Sequence, residues 1–115
     1  MHEVVWLEHD NENSLILSID GEPANGNAIS SVKLVLSAPD GRIVQTIVSN
    51  NQPSDSIRWN QPDYLPGELR MKLGALNVPP GLYLARLIVY DTERPNGIVW
   101  GESPMQFTVR PSPLG

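Results

Sequence analysis

Along this chain polar and apolar residues alternate with the period of two that a half-buried strand requires, and no stretch repeats its apolar positions at helical spacing. The longest alternating run opens after Pro79-Pro80-Gly81. The two prolines hold φ near −65° and cannot donate to a ladder, while Gly81 admits the positive φ of a tight turn, so the chain is set to enter a sheet at about Leu82. From there Tyr83, Ala85, Leu87 and Val89 share one face, and Leu82, Leu84, Arg86, Ile88 and Tyr90 share the other. Both faces are largely apolar. That pattern predicts a central strand covered on both sides.

Shorter runs repeat the pattern on either side. Glu3 to Glu8 sets Val4 and Trp6 against Val5 and Leu7, and Ser14 to Asp20 turns Leu15, Leu17 and Ile19 inward before stopping at Asp20-Gly21-Glu22-Pro23. Ser31 to Ser37 and Arg42 to Val48 flank Pro39-Asp40-Gly41, which reads as a hairpin. Glu68 to Leu76 points Leu69, Met71 and Leu73 inward and leaves Glu68, Arg70 and Lys72 to water. A last arm from Ile98 to Val109 is interrupted by Pro104, which predicts an edge position or a break. Ser49 to Gly67 is the longest irregular stretch, and a loop of that length in a small domain is more often functional or partly structured than empty. Seven or eight short strands at turn-punctuated intervals predict an all-β, antiparallel β-sandwich of the immunoglobulin or fibronectin type III kind.

A chain of 115 residues buries about two-thirds of its unfolded surface, enough for a core without staples. One domain is expected over residues 1–110, with 111–115 as a tail or the start of a linker. Strand-like sequence begins close to Met1, and the end is proline-spaced, so the chain reads as a domain cut from a longer one. The absence of cysteine excludes a disulfide framework and thiolate metal sites. A net charge of −5 argues against a nucleic-acid partner, which needs clustered Lys and Arg to replace counterions on phosphate, and against an anionic membrane. No apolar run reaches the roughly 18 residues that span a bilayer, and the start lacks the basic and apolar regions of a signal peptide. Most of the acids lie before residue 58, with only Lys33 and Arg42 as bases there. Such an acidic half keeps a domain soluble or steers a basic partner.

Asp40-Gly41-Arg42 with Gln45, then Trp59, then Pro66-Gly67-Glu68, then Pro79-Pro80-Gly81-Leu82-Tyr83 and Val89-Tyr90-Asp91 follow one another over about residues 31–110. This arrangement resembles a β-sandwich module of bacterial membrane glycosyltransferases and other large surface proteins. More loosely, the Pro-Pro-Gly-Leu-Tyr strand resembles one in immunoglobulin-like domains of the flagellar hook-capping protein and of exported bacterial enzymes. Both resemblances imply a noncatalytic accessory module: an extracytoplasmic binding or spacer domain of a larger bacterial protein, contacting protein or glycan.

Candidate chemistry is sparse. No cysteine nucleophile, Gly-x-Ser-x-Gly elbow or phosphate-cradling glycine loop is present, and the two histidines, His2 and His9, sit near the start, so a small hydrolase ranks last. No cofactor is expected. Asp10, Glu12, Asp20 and Glu22 are oxygen donors in two loops, where a calcium ion is chemically accessible, against the plainer reading that such residues end strands by bonding their own backbone. The most ligand-like neighbourhood is Trp59, Asn60, Gln61, Asp63 and Tyr64 in the long loop, because an exposed ring stacks on a pyranose while amides and carboxylates bond its hydroxyls. That gives a carbohydrate-binding module as the alternative function. Against it, a loop Trp in a sandwich more often plugs the core. Trp6 and Trp100 read as core or edge packing, and Tyr83 as a corner tyrosine that ties down a loop.

Overall fold

The computed structural model describes residues 2–9, 13–19, 22–100 and 104–112. The first half carries β1 (His2–Trp6), β2 (Asn13–Ile16), β3 (Ser18–Ile19), β4 (Glu22–Pro23), β5 (Ile29–Ser37) and β6 (Ile43–Ser49). The second carries β7 (Ile57–Trp59), β8 (Glu68–Met71), β9 (Gly81–Asp91), β10 (Ile98–Val99) and β11 (Met105–Arg110). One 3₁₀ turn, Gly26–Ala28, precedes β5, and the described residues contain no α-helix. The larger sheet runs β1-β11-β9-β5-β6 with β10 also beside β9, the smaller runs β2-β8-β7, and β3 and β4 form a short ribbon. The protein is therefore all-β, with two sheets sharing one core.

The alternating residues account for that core. Val32, Leu34 and Leu36 of β5, Ala85 and Leu87 of β9, and Phe107 of β11 are fully buried, and Leu69 and Met71 of β8 meet them from the smaller sheet. Burying a ring such as that of Phe107 is worth about 2–3 kcal/mol. The expected hairpin joins β5 to β6. Gly41 takes φ 92° in its turn, the Asp40 side chain accepts from the Arg42 amide, and Ala38 N–H donates to Arg42 across the neck.

Several expectations need correction. The larger sheet is mixed rather than antiparallel, because β1 runs parallel to β11, with Val4 opposite Thr108 and Trp6 opposite Arg110. The arm after Ile98 is broken at Pro104, but β11 is an interior strand between β1 and β9 and not an edge. The strand from Glu68 stops at Met71. Leu73 is still buried, yet the chain turns at Gly74, where a Cβ would lie 1.8 Å from the His9 carbonyl oxygen, so only glycine fits this crossing. Glu68, expected to face water, is buried, and its carboxylate accepts from the Leu65 amide and from Arg70. The long loop contains β7, a strand of three residues, too short to show alternation. Finally, β9 is covered on one side only: Ala85 and Leu87 are sealed, whereas Leu82 is 45% exposed and Arg86 lies open.

Candidate functional site

The long loop is built around Asn51, which holds φ 64°. Its side-chain amide donates to the Trp59 carbonyl at 2.8 Å and its oxygen accepts from the Trp59 amide at 3.1 Å, so it pairs with β7 as one residue of a neighbouring strand would. The same oxygen accepts from Arg58 Nε at 2.9 Å. After Asn51, the Asp55 carboxylate accepts from the amides of Gln52 and Asn50, and these bonds hold its pKa below the ordinary value. Beyond it, the Arg70 side chain and then the Leu65 amide hold Glu68 low in the same way.

This architecture takes Trp59 out of the alternative sugar platform and gives it the competing core-plugging place. The Trp59 ring is 2% exposed and packs in the core, offering no face to solvent. Tyr64 is half-buried, with the Arg70 guanidinium 4.2 Å over its ring, and Asp63 lies 3.7 Å from the same Arg70. Asn60 donates to Asn27 at 2.7 Å, and Gln61 donates to the Trp59 carbonyl at 2.9 Å. Asn60, Gln61 and Tyr64 do line a cleft of about 370 Å³ together with Asn25 and Glu68, but Trp59 is not part of it. The groups expected to receive a ligand are largely engaged in holding the loop.

Of the expected calcium donors, Asp10, Glu12 and Asp20 lie outside the described residues, and Glu22 is exposed on β4. No three His, Asp or Glu side chains among the described residues gather at a metal-binding distance. His9 Nε2 meets Ser112 Oγ at 3.0 Å and Leu7 N–H donates to Arg110, so the two ends of the described chain are tied together there. No helix among the described residues is long and apolar enough to cross a membrane.

The surface that sequence reasoning missed is the outer face of the larger sheet. Directly opposed residues point to the same side, so the register puts Val4, Thr108 and Leu82 in one row and Val35 and Arg86 in another, with Lys33 of β5 between Ile88 of β9 and Val48 of β6. On this face Trp6, Leu82, Val48 and Val99 are 38%, 45%, 54% and 54% exposed. Its charged strand residues are Lys33, Arg86 and Arg110, and no Asp or Glu occupies a described strand position on it. Lys33 Nζ stands 5.9 Å from the Tyr90 ring and the Arg110 guanidinium 5.8 Å from the Trp6 ring, which props these cations against aromatic faces. The result is an apolar, cationic surface on a chain of net charge −5. The signal lies in the two apolar faces of residues 82–90, a pattern that by itself predicts a strand covered on both sides.

Compared with known proteins, the chain matches no family model, no curated protein and no solved structure.

Proposed function

We propose that this chain is a noncatalytic, immunoglobulin-like β-sandwich module of a larger exported bacterial protein, and that it docks on an acidic protein surface through the outer face of its larger sheet. The immunoglobulin-like reading is supported by strand order. The smaller sheet, β2-β8-β7, corresponds to the B, E and D strands of that fold, and β5, β9 and β11 to C, F and G. A second support is Tyr83, near the start of β9, whose hydroxyl donates back to the Pro79 carbonyl in the manner of a tyrosine corner.

The observation that carries the docking reading is the outer face itself. Exposed apolar side chains, Trp6 and Leu82 toward one end of the face and Val48 and Val99 toward the other, offer an interaction surface, and the single sign of charge on the face selects a partner of the opposite sign. The test is an amide NMR titration with two probes, a peptide of alternating Glu and Leu and a panel of soluble oligosaccharides. The acidic peptide is expected to shift amides of β5, β9 and β11, with salt weakening the response, and Lys33→Glu with Arg86→Glu is expected to abolish it. A peptide response absent from this face, or a glycan response centred on Asn60, Gln61 and Tyr64, overturns the docking reading in favour of the cleft.

A further inference from the structure

Among the described residues four strands end the paths of the two sheets, the two-residue β10 lying off the path beside β9, and three of the four are closed to further pairing. β7 is three residues long and its Trp59 backbone is occupied by the Asn51 amide. β2 has four residues, and Asn13 at its start donates to the Glu3 carboxylate and the Val4 carbonyl, crossing to the other sheet. β1 turns the charge of Glu3 toward that crossing, opposite Phe107. Short length, inward charge and side-chain cover are the devices by which sheets avoid joining edge to edge.

β6 carries almost none of them. It reads Ile-Val-Gln-Thr-Ile-Val-Ser, seven residues without a charge, a proline or a glycine. Ile43 and Val48 are 63% and 54% exposed. Its backbone pairs with β5 on one side, and among the described residues no backbone hydrogen bond reaches Ile43 to Val48 from the other. A register shift opposite Leu36 and Ser37 leaves Val44 unpaired, so the regular ladder runs from Gln45 to Ser49.

We infer that the free edge of β6 pairs antiparallel with β6 of a second copy of this chain about a two-fold axis at Ile47, joining the two larger sheets into one. The regular segment is its own complement in that register. Ile47 meets Ile47 of the second copy, Thr46 meets Val48, and Gln45 meets Ser49. The inward row then places two half-buried isoleucines together at the border of each core, and the outward row brings two exposed valines beside threonine methyls. The ends match in charge. Arg42, exposed before β6, reaches the 50–55 turn of the second copy, where the Asp55 carboxylate is gathered by the Asn50 and Gln52 amides. The symmetry makes two such ion pairs. An isologous contact of this kind closes on itself and does not propagate into fibres.

The test is sedimentation velocity over a concentration series, with amide hydrogen exchange read at residues 45–49. The wild-type chain is expected to move from the mass of one chain to that of two, and exchange at alternate amides of Gln45 to Ser49 is expected to slow as the dimer forms. Thr46→Lys with Val48→Lys, both at exposed positions, sets four ammonium groups around the axis and is expected to raise the dissociation constant at least about tenfold. Arg42→Glu places like charges at both ends and is expected to weaken the dimer less, with the difference shrinking at high salt. A chain that stays monomeric throughout the series overturns the inference. So does a dimer that survives the double substitution, or one that forms with no change in exchange at 45–49; the exchange readout on the wild-type chain needs no variant to fold.

Discussion

β6 and β7 follow one another along the chain and meet at Ser49, whose hydroxyl donates to the Ile57 carbonyl, yet one ends its sheet closed and the other open. β7 is the shorter and is finished by a side chain: Asn51 supplies the donor and acceptor that a further strand would have supplied to Trp59. β6 is longer, uncharged at its exposed positions Ile43, Thr46 and Val48, and among the described residues no backbone hydrogen bond reaches Ile43 to Val48 on its outer side. The contrast teaches that edge protection in this fold is local and residue-specific. One asparagine substitutes for a strand where the core tryptophan must be held, and nothing comparable is spent seven residues earlier along the chain.

Removing the asparagine is the largest expected perturbation. Asn51→Ala leaves the buried Trp59 amide without its Asn51 acceptor and the carbonyl with Gln61 Nε2 as its remaining side-chain donor, strips Arg58 Nε of its acceptor and forces a Cβ-bearing residue without a side-chain bond to hold φ 64°. Unsatisfied buried groups cost about 1–3 kcal/mol each and left-handed backbone about 1–2 kcal/mol, so a loss of about 3–4 kcal/mol is expected. Asn51→Gly keeps the backbone conformation and loses only the bonds. It should recover about 1 kcal/mol of that loss. Urea unfolding reads both as shifts in midpoint at unchanged slope. If the two substitutions unfold together with the wild-type chain, Asn51 does not hold β7.

Two carboxylates, Asp55 in the turn that separates the two edges and Glu68 at the start of β8, make the stability depend on pH. Asp55 and Glu68 both titrate below their ordinary values of 3.8 and 4.5, Asp55 because backbone amides of Gln52 and Asn50 bond the ionised form, Glu68 because Arg70 and then the Leu65 amide do. A depressed carboxylate stabilises the fold fully above its unfolded pKa. As pH falls through 4.5 and then 3.8 the unfolded chain takes up protons first, so stability declines until the folded groups are protonated as well. Thermal melts between pH 6 and pH 3 should show this fall, and Asp55→Asn and Glu68→Gln should each flatten part of it. A wild-type melting temperature that does not change over that interval would remove the ionised carboxylates from the account of the turn.

How much of this was legible depended on whether the signal was local. Alternation within one segment identified β5, β6, β9 and the start of β8 and placed Leu34, Leu36, Leu69 and Leu87 in the core. The parallel pairing of β1 with β11 joins residues about a hundred positions apart and leaves no mark in either segment. β7 is too short for periodicity, and Asn51 reads as one more turn former among Asn50, Gln52 and Pro53 until its amide is found against Trp59. The outer face shows the same limit in reverse. Leu82, Leu84 and Ile88 are as apolar as a buried row, and whether a layer covers them is decided by the order of strands, not by the strand itself. The candidate loop residues were brought together on one end, but burial of the Trp59 ring follows from the Asn51 bonds and from the packing of Leu69 opposite it.

The smallest expected effect sits on the open edge, where Ile43 and Val48 touch little of their own chain. Ile43→Thr and Val48→Thr retain the branched shape that suits a strand and put a hydroxyl in place of an ethyl and a methyl group at positions that already face water, so each should change unfolding stability by no more than about 0.5 kcal/mol. The solution behaviour should change more than the stability. Less apolar surface on the β6 border weakens association between chains, so the pair of substitutions should lower light scattering of concentrated samples while the urea midpoint stays in place. The opposite pattern, a clear loss of stability with scattering unchanged, would mean that these two side chains serve the fold of their own chain, and the difference between the closed and the open edge would disappear.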